Sequence, residues 1–280
     1  MNILKTKYFR AGLMLGVVMA LGLPFTYPVF GRDFLLLQSA TTTQNSGLYD
    51  VILPEFTADT GIPVRVVAVG TGQALRNARN CDADVLLVHD YVAEEIFIKN
   101  GYGAWRRKVM FNDFVLIGPE DDPAGVADAA TIADAFDRII KKKAKFVSRG
   151  DDSGTHKAER RIWADLGKDP EIHSGDWYLE IGNGMGTAIN FALETQSYIL
   201  SDRATWTALR NKSGGRILFA GDPVLHNQYS VIPISVAHCP EIEQDKAEAF
   251  AAWILSPRGQ MAIASYQRDG VPLFIPNAAP

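Results

Sequence analysis

The chain has 280 residues, 47% hydrophobic and 21% charged, which is globular by composition and long enough for one large domain or two smaller ones. Its net charge of -4 argues against nucleic acid or anionic lipid as a partner. Five scattered histidines lack metal-ligand spacing, and two cysteines, Cys81 and Cys239, leave a disulfide and two separate thiols equally open.

Residues 1–31 read as a signal peptide: Lys5, Lys7 and Arg10 precede an apolar stretch over 11–23, broken by Pro24, with small residues Val29 and Gly31 before a cut. Loss of that leader takes the net charge from -4 to -7, so a site for an anion must be enclosed and preorganised against the field of the whole molecule.

The mature chain alternates strand and helix. Residues 34–38 form an apolar strand, 39–46 a hydroxyl-rich loop, and 48–60 a helix ended by Gly61. A β-branched strand over 63–69 leads through Gly70-Thr71-Gly72 into a helix, followed by a strand over 84–89, a helix over 93–99 and a long extended run over 109–118. Beyond it lie a helix over 131–143, a strand over 145–148, helices over 156–166 and 187–195, and a strand over 198–200. A helix over 202–211, strands over 216–219 and 229–236, and helices over 246–255 and 256–266 follow. This alternation predicts parallel α/β units. The extended runs over 109–118 and 229–236 bracket the central third as two crossover strands, which makes residues 32–115 with 229–280 one lobe, 116–228 a second, and the crossovers a hinge.

The sharpest motif is Val147-Ser148-Arg149-Gly150-Asp151-Asp152-Ser153-Gly154-Thr155-His156, between a strand and a helix. Glycines let amide N–H groups converge, the helix start adds unpaired donors, Ser153 and Thr155 add hydroxyls, and Arg149 adds a charged fork. That is the donor set of an oxyanion site. Thr41-Thr42-Thr43 after the first strand and Gly70-Thr71-Gly72 after the second occupy the strand ends where parallel sheets bind ligands. Gly182-Asn183-Gly184-Met185-Gly186 is a third glycine-rich helix entry. Gly70-Thr71-Gly72-Gln73 lacks the third glycine, lysine or acidic residue of nucleotide fingerprints. A serine hydrolase built on Ser153 has no accompanying base and orienting acid.

Together these residues resemble the tungstate-binding, TupA-like substrate-binding proteins of bacterial ABC transporters. The likeness runs through Ala40 and the three threonines, Val69-Gly70-Thr71-Gly72-Gln73-Ala74-Leu75, Asp82-Ala83-Asp84-Val85-Leu86-Leu87-Val88-His89, Asn112-Asp113-Phe114-Val115, the 148–156 motif and Pro272-Leu273-Phe274. Gln44 stands where the family usually has serine. The resemblance implies a two-lobe, type II periplasmic binding protein: a monomer without cofactor or catalysis that closes on tungstate or molybdate and delivers it to an ABC permease. It also implies the donors, Thr42, Thr43 and Thr71 from one lobe and Ser148, Arg149, Ser153, Gly154 and Thr155 from the other. The motif is similar, too, to the anion loop of phosphate-binding proteins, with Arg149, Asp151, Ser153, Gly154 and Thr155 in its arginine, aspartate and Ser-Gly-Thr positions. Hydrogen phosphate carries a proton and suits a carboxylate acceptor, whereas tungstate accepts only. The orientation of Asp151 and Asp152 therefore separates the two ligands.

Overall fold

The structure, a computed structural model, describes residues 31–268 and 270–279. The expected signal peptide, apart from Gly31, lies outside the described residues. In chain order the elements are β1 (Leu35–Ala40), α1 (Thr41–Ser46), α2 (Leu48–Thr60), β2 (Val64–Val69), α3 (Thr71–Arg79), β3 (Val85–Val88), α4 (Tyr91–Lys99) and β4 (Arg107–Pro119). Then come α5 (Ile132–Lys142), β5 (Phe146–Ser148), α6 (Gly154–Asp165), β6 (Tyr178–Glu180), α7 (Met185–Glu194), β7 (Tyr198–Asp202), α8 (Arg203–Ala208) and β8 (Gly215–Phe219). The chain ends with β9 (His226–Pro233), α9 (Gln244–Leu255), α10 (Pro257–Ser265) and the short strands β10 (Gln267–Arg268), β11 (Val271–Pro272) and β12 (Ile275–Pro276).

The main sheet runs β2-β1-β3-β9-β4-β7-β5-β6. Its flanks are parallel, as the alternation of elements predicts: β1 pairs with β2 and β3, and β5 with β6 and β7. The middle differs: β9 is antiparallel to both β3 and β4, and β4 is antiparallel to β7. Within β4, residues up to Asp113 pair with β9, Phe114–Ile117 pair with β7 and Leu116–Pro119 with β8, so one strand serves both halves of the sheet. The chain returns to the first half through residues 220–225, just ahead of β9, which pairs with β3 and β4.

Both halves are covered on both faces, which explains why β3 is apolar at every position. In β3, Val85 and Leu87 join a cluster with Phe56, Phe250 and Ile263, while Leu86 and Val88 face Ala74, Ala78 and Phe97. In β5, Phe146 packs with Phe136, Trp163 and Tyr178, and Val147 with Met185, Ala188 and Ile189. Cys81 and Cys239 form a disulfide, closing the alternative that composition left open and tying the segment after α3 to that before α9. No helix among the described residues is long and apolar enough to cross a membrane.

Candidate functional site

The carboxyl ends of β1, β2, β3 and β5 each run directly into a polar segment or a helix start, and these meet where the two halves of the sheet join. Thr42 and Thr43 lie in α1, a short helix rather than the expected loop; it packs against α7 and α8 of the second half. Thr71 opens α3, whose first turn has no side-chain cap. From the second half, residues 149–153 lead to α6, where the Ser153 hydroxyl accepts from the His156 amide at 3.2 Å. The Gly154 and Thr155 amides, one turn too early for intrahelical acceptors, point out of the helix end.

Thr42, Thr43, Thr71, Ser148, Arg149, Ser153 and Thr155 are all buried. The hydroxyls of Thr43, Thr71 and Thr155 have no hydrogen-bond partner. A buried donor without a partner costs stability, on the order of 1–3 kcal/mol, so three in one region mark a site built for a guest that accepts hydrogen bonds. Ser148 departs from expectation: its single hydroxyl proton goes to Glu159 at 2.6 Å, and that carboxylate also accepts from Trp163 and Tyr178, each at 2.8 Å.

The acidic pair resolves cleanly. Asp151 binds the buried Arg149 guanidinium and accepts from the Ser153 amide at 3.1 Å. Asp152 turns the other way, to Arg76 at 2.7 Å and Lys157 at 3.4 Å. Each carboxylate is thus held by a cation. Arg149 also donates from Nε to the Asn183 carbonyl at 3.3 Å, which gives the third glycine-rich turn its role. Burial lowers the pKa of this guanidinium, and the charges of Asp151 and Asp202 oppose that shift.

Neither Ser153 nor His156 is arranged for nucleophilic chemistry. The serine oxygen caps a helix, and His156 Nδ1 accepts from the Asp152 amide at 3.1 Å.

His89 and Asn227 are not among the donors that the sequence motifs mark. His89 is buried just after β3, stacked on Tyr229 with ring centres 4.7 Å apart. Its Nδ1 lies 2.9 Å from the amide oxygen of Asn227, whose own NH₂ donates to Asn112 at 2.7 Å. An amide oxygen only accepts, so Nδ1 carries the proton. Burial lowers the ring's pKa to about 4, which leaves Nε2 a bare acceptor 3.4 Å from the Thr42 hydroxyl. A Cβ on Gly154 would fall 2.6 Å from the His89 ring, so only glycine lets the start of α6 approach that closely. The rule that pointed to the threonines, a polar residue just past a strand's carboxyl end, points to His89 as well.

A family model for a PBP superfamily domain matches residues 31–258. The chain is 46% identical over 252 residues to the tungstate-binding protein TupA of Peptoclostridium acidaminophilum, across 89% of this chain and 87% of that protein. Among solved structures it is similar to the tungstate-binding protein TupA from Desulfovibrio alaskensis G20, with a TM-score of 0.75 and 44% identity, covering 89% of this chain and 100% of that one. It is similar also to the structure of the tungstate ABC transporter from Geobacter sulfurreducens, with a TM-score of 0.76 and 40% identity, covering 84% of this chain and 100% of that one.

Proposed function

We propose, from the premise that this chain belongs to the PBP superfamily as one of its TupA-like tungstate-binding members, that it captures tungstate and delivers it to an ABC permease. Two lobes, residues 32–115 with 229–280 and residues 116–228, close on the anion. Thr43 and Thr71 donate from the first, with Thr42 joining them as its long contact to His89 gives way to the anion, and Arg149, Ser153, Gly154 and Thr155 donate from the second. Binding needs no cofactor and no covalent step. The protein acts as an exported monomer, and the Cys81–Cys239 disulfide suits an oxidising compartment.

The observation that carries this reading is the donor balance. Three buried threonine hydroxyls and a buried guanidinium have capacity to donate, while the two nearby aspartates are each engaged by cations. A fully ionised tetrahedral dianion satisfies such a set, whereas a ligand bringing its own proton would have to share Asp151 or Asp152 with the cations that hold them. Each charge-assisted hydrogen bond contributes about 1.5–3 kcal/mol, so six or so offset the costs of closure. Molybdate, of the same charge and shape, is the second ligand.

Calorimetry at neutral pH with tungstate, molybdate, sulfate and phosphate tests the reading. Tungstate and molybdate are expected to bind tightly and phosphate far more weakly, while sulfate, a dianion of the same charge and shape but smaller radius, reports whether the cage is sized for the larger anions. Tight phosphate binding with no heat from tungstate would refute it.

A further inference from the structure

Asp152 has a left-handed backbone, with φ of 58°, unusual for a residue other than glycine. The bend places three groups of one residue in contact with other segments. The amide donates to His156 Nδ1 at 3.1 Å, in the first turn of α6. The carbonyl accepts from the Gly72 amide at 3.3 Å, and the carboxylate meets Arg76 at 2.7 Å, both on α3 in the first half of the sheet. Gly72 is fitted to this contact: a Cβ there would lie 2.0 Å from Asp152 Oδ2 and 2.9 Å from its carbonyl oxygen. A second row of charges runs alongside. Asp90, only 2% exposed at the start of α4, faces Lys157 at 3.4 Å and Arg161 at 3.2 Å on α6, and Lys157 also reaches Asp152. None of Arg76, Asp90, Asp152, Lys157 and Arg161 is among the proposed oxyanion donors.

We infer that Asp152 is a positioning residue for oxyanion capture: clasped by Arg76 and by the Gly72 amide, it docks the Arg149–Thr155 loop against the first half, so that affinity depends on a contact the ligand never touches. This rests on the reading that the two halves close on the ligand. The closed arrangement is then stabilised both by the anion and by the clasp, and weakening the clasp lowers affinity through the closure equilibrium alone. The strained backbone at Asp152 is kept because it aims carbonyl and carboxylate at the same helix.

Calorimetric titration with sodium tungstate of the wild type, D152N, R76M and the double variant, at about 0.05 M and about 0.5 M salt, tests this. Asparagine tolerates a left-handed backbone much as aspartate does, so D152N keeps the loop's shape. Each single variant is expected to raise Kd about fivefold at low salt, the scale of one partly exposed ion pair. The double variant should be no weaker than D152N, and the gap from wild type should narrow at high salt. Unchanged affinity in D152N, or additive losses in the double variant, would overturn the clasp. Absence of tungstate binding by the wild type would instead remove the functional reading beneath it. Unaltered melting temperatures without tungstate support the clasp, because a general loss of structure would lower them.

Discussion

Asp151 holds the Arg149 guanidinium with one carboxylate oxygen while its other oxygen accepts from the Ser153 amide at 3.1 Å, so arginine and loop are set by the same side chain. Arg149 is 3% exposed and keeps its charge in that setting because a counter-charge sits beside it. A positioned guanidinium needs little reorganisation when a dianion arrives. Arg149→Ala is therefore expected to weaken tungstate binding roughly tenfold or more, the scale of one charge-assisted hydrogen bond. Arg149→Lys should fall between, since an ammonium keeps the charge but not the planar fork. Calorimetry reads both; wild-type affinity in Arg149→Ala would take the residue out of the site.

The orphaned threonine hydroxyls carry a prediction of opposite signs for stability and binding. Thr43→Val, Thr71→Val and Thr155→Val keep the shape but remove a buried hydroxyl that has no partner. Each should leave the melting temperature of the ligand-free protein unchanged or higher, because an unsatisfied group is lost. Each should also weaken tungstate binding by roughly fivefold to tenfold, because a donor is lost. Thermal melts with and without tungstate measure both effects. A variant that loses stability without losing affinity would mark its hydroxyl as structural.

Much of this was legible because the physics is local. The helix over 48–60 and its stop at Gly61 match α2, and the strand over 63–69 lies within a residue of β2, since apolar periodicity and a glycine stop act over a few residues. The 39–46 segment reads as a loop because serine, threonine and asparagine favour caps and turns; Ser39 and Ala40 instead end β1, and packing against α7 and α8 makes 41–46 helical. β6 went unread, being three residues long and recognisable only by its pairing with β5. The site was half legible. Threonines and glycines at strand ends announce donors, but the direction of a carboxylate depends on partners far along the chain, as Asp152 depends on Arg76. Ser148 shows the same limit, since only the fold brings Glu159 to its hydroxyl.

The Cys81–Cys239 bridge joins residues 158 positions apart within the first half of the sheet. Cross-linking so long a loop removes unfolded-state entropy, and its loss is expected to cost about 2–5 kcal/mol. Neither cysteine lies among the proposed donors, so Cys81→Ser/Cys239→Ser should fall in urea midpoint yet keep wild-type tungstate affinity at temperatures where it remains folded. A fall in affinity in step with stability would show that the bridge also shapes the site.

Glu159 sets a pH dependence whose sign can be stated. Burial raises its pKa from 4.5 to about 7, even though Ser148, Tyr178 and Trp163 all donate to it and pull the other way. Across that interval the folded chain holds a proton that the unfolded chain has released. Stability from this group is therefore greatest below 4.5, falls as pH rises toward about 7 and is level above it. The whole change is about 3 kcal/mol at roughly 1.4 kcal/mol per pKa unit. Glu159→Gln does not titrate, so its stability relative to wild type should rise between about pH 5 and about pH 8. Taking the difference between the two proteins cancels His89, whose pKa is lowered from 6.5 to about 4 by burial, so that its contribution rises with pH over that range. Urea midpoints at the two pH values decide the matter, and a constant difference would mean that Glu159 stays ionised in the folded protein throughout.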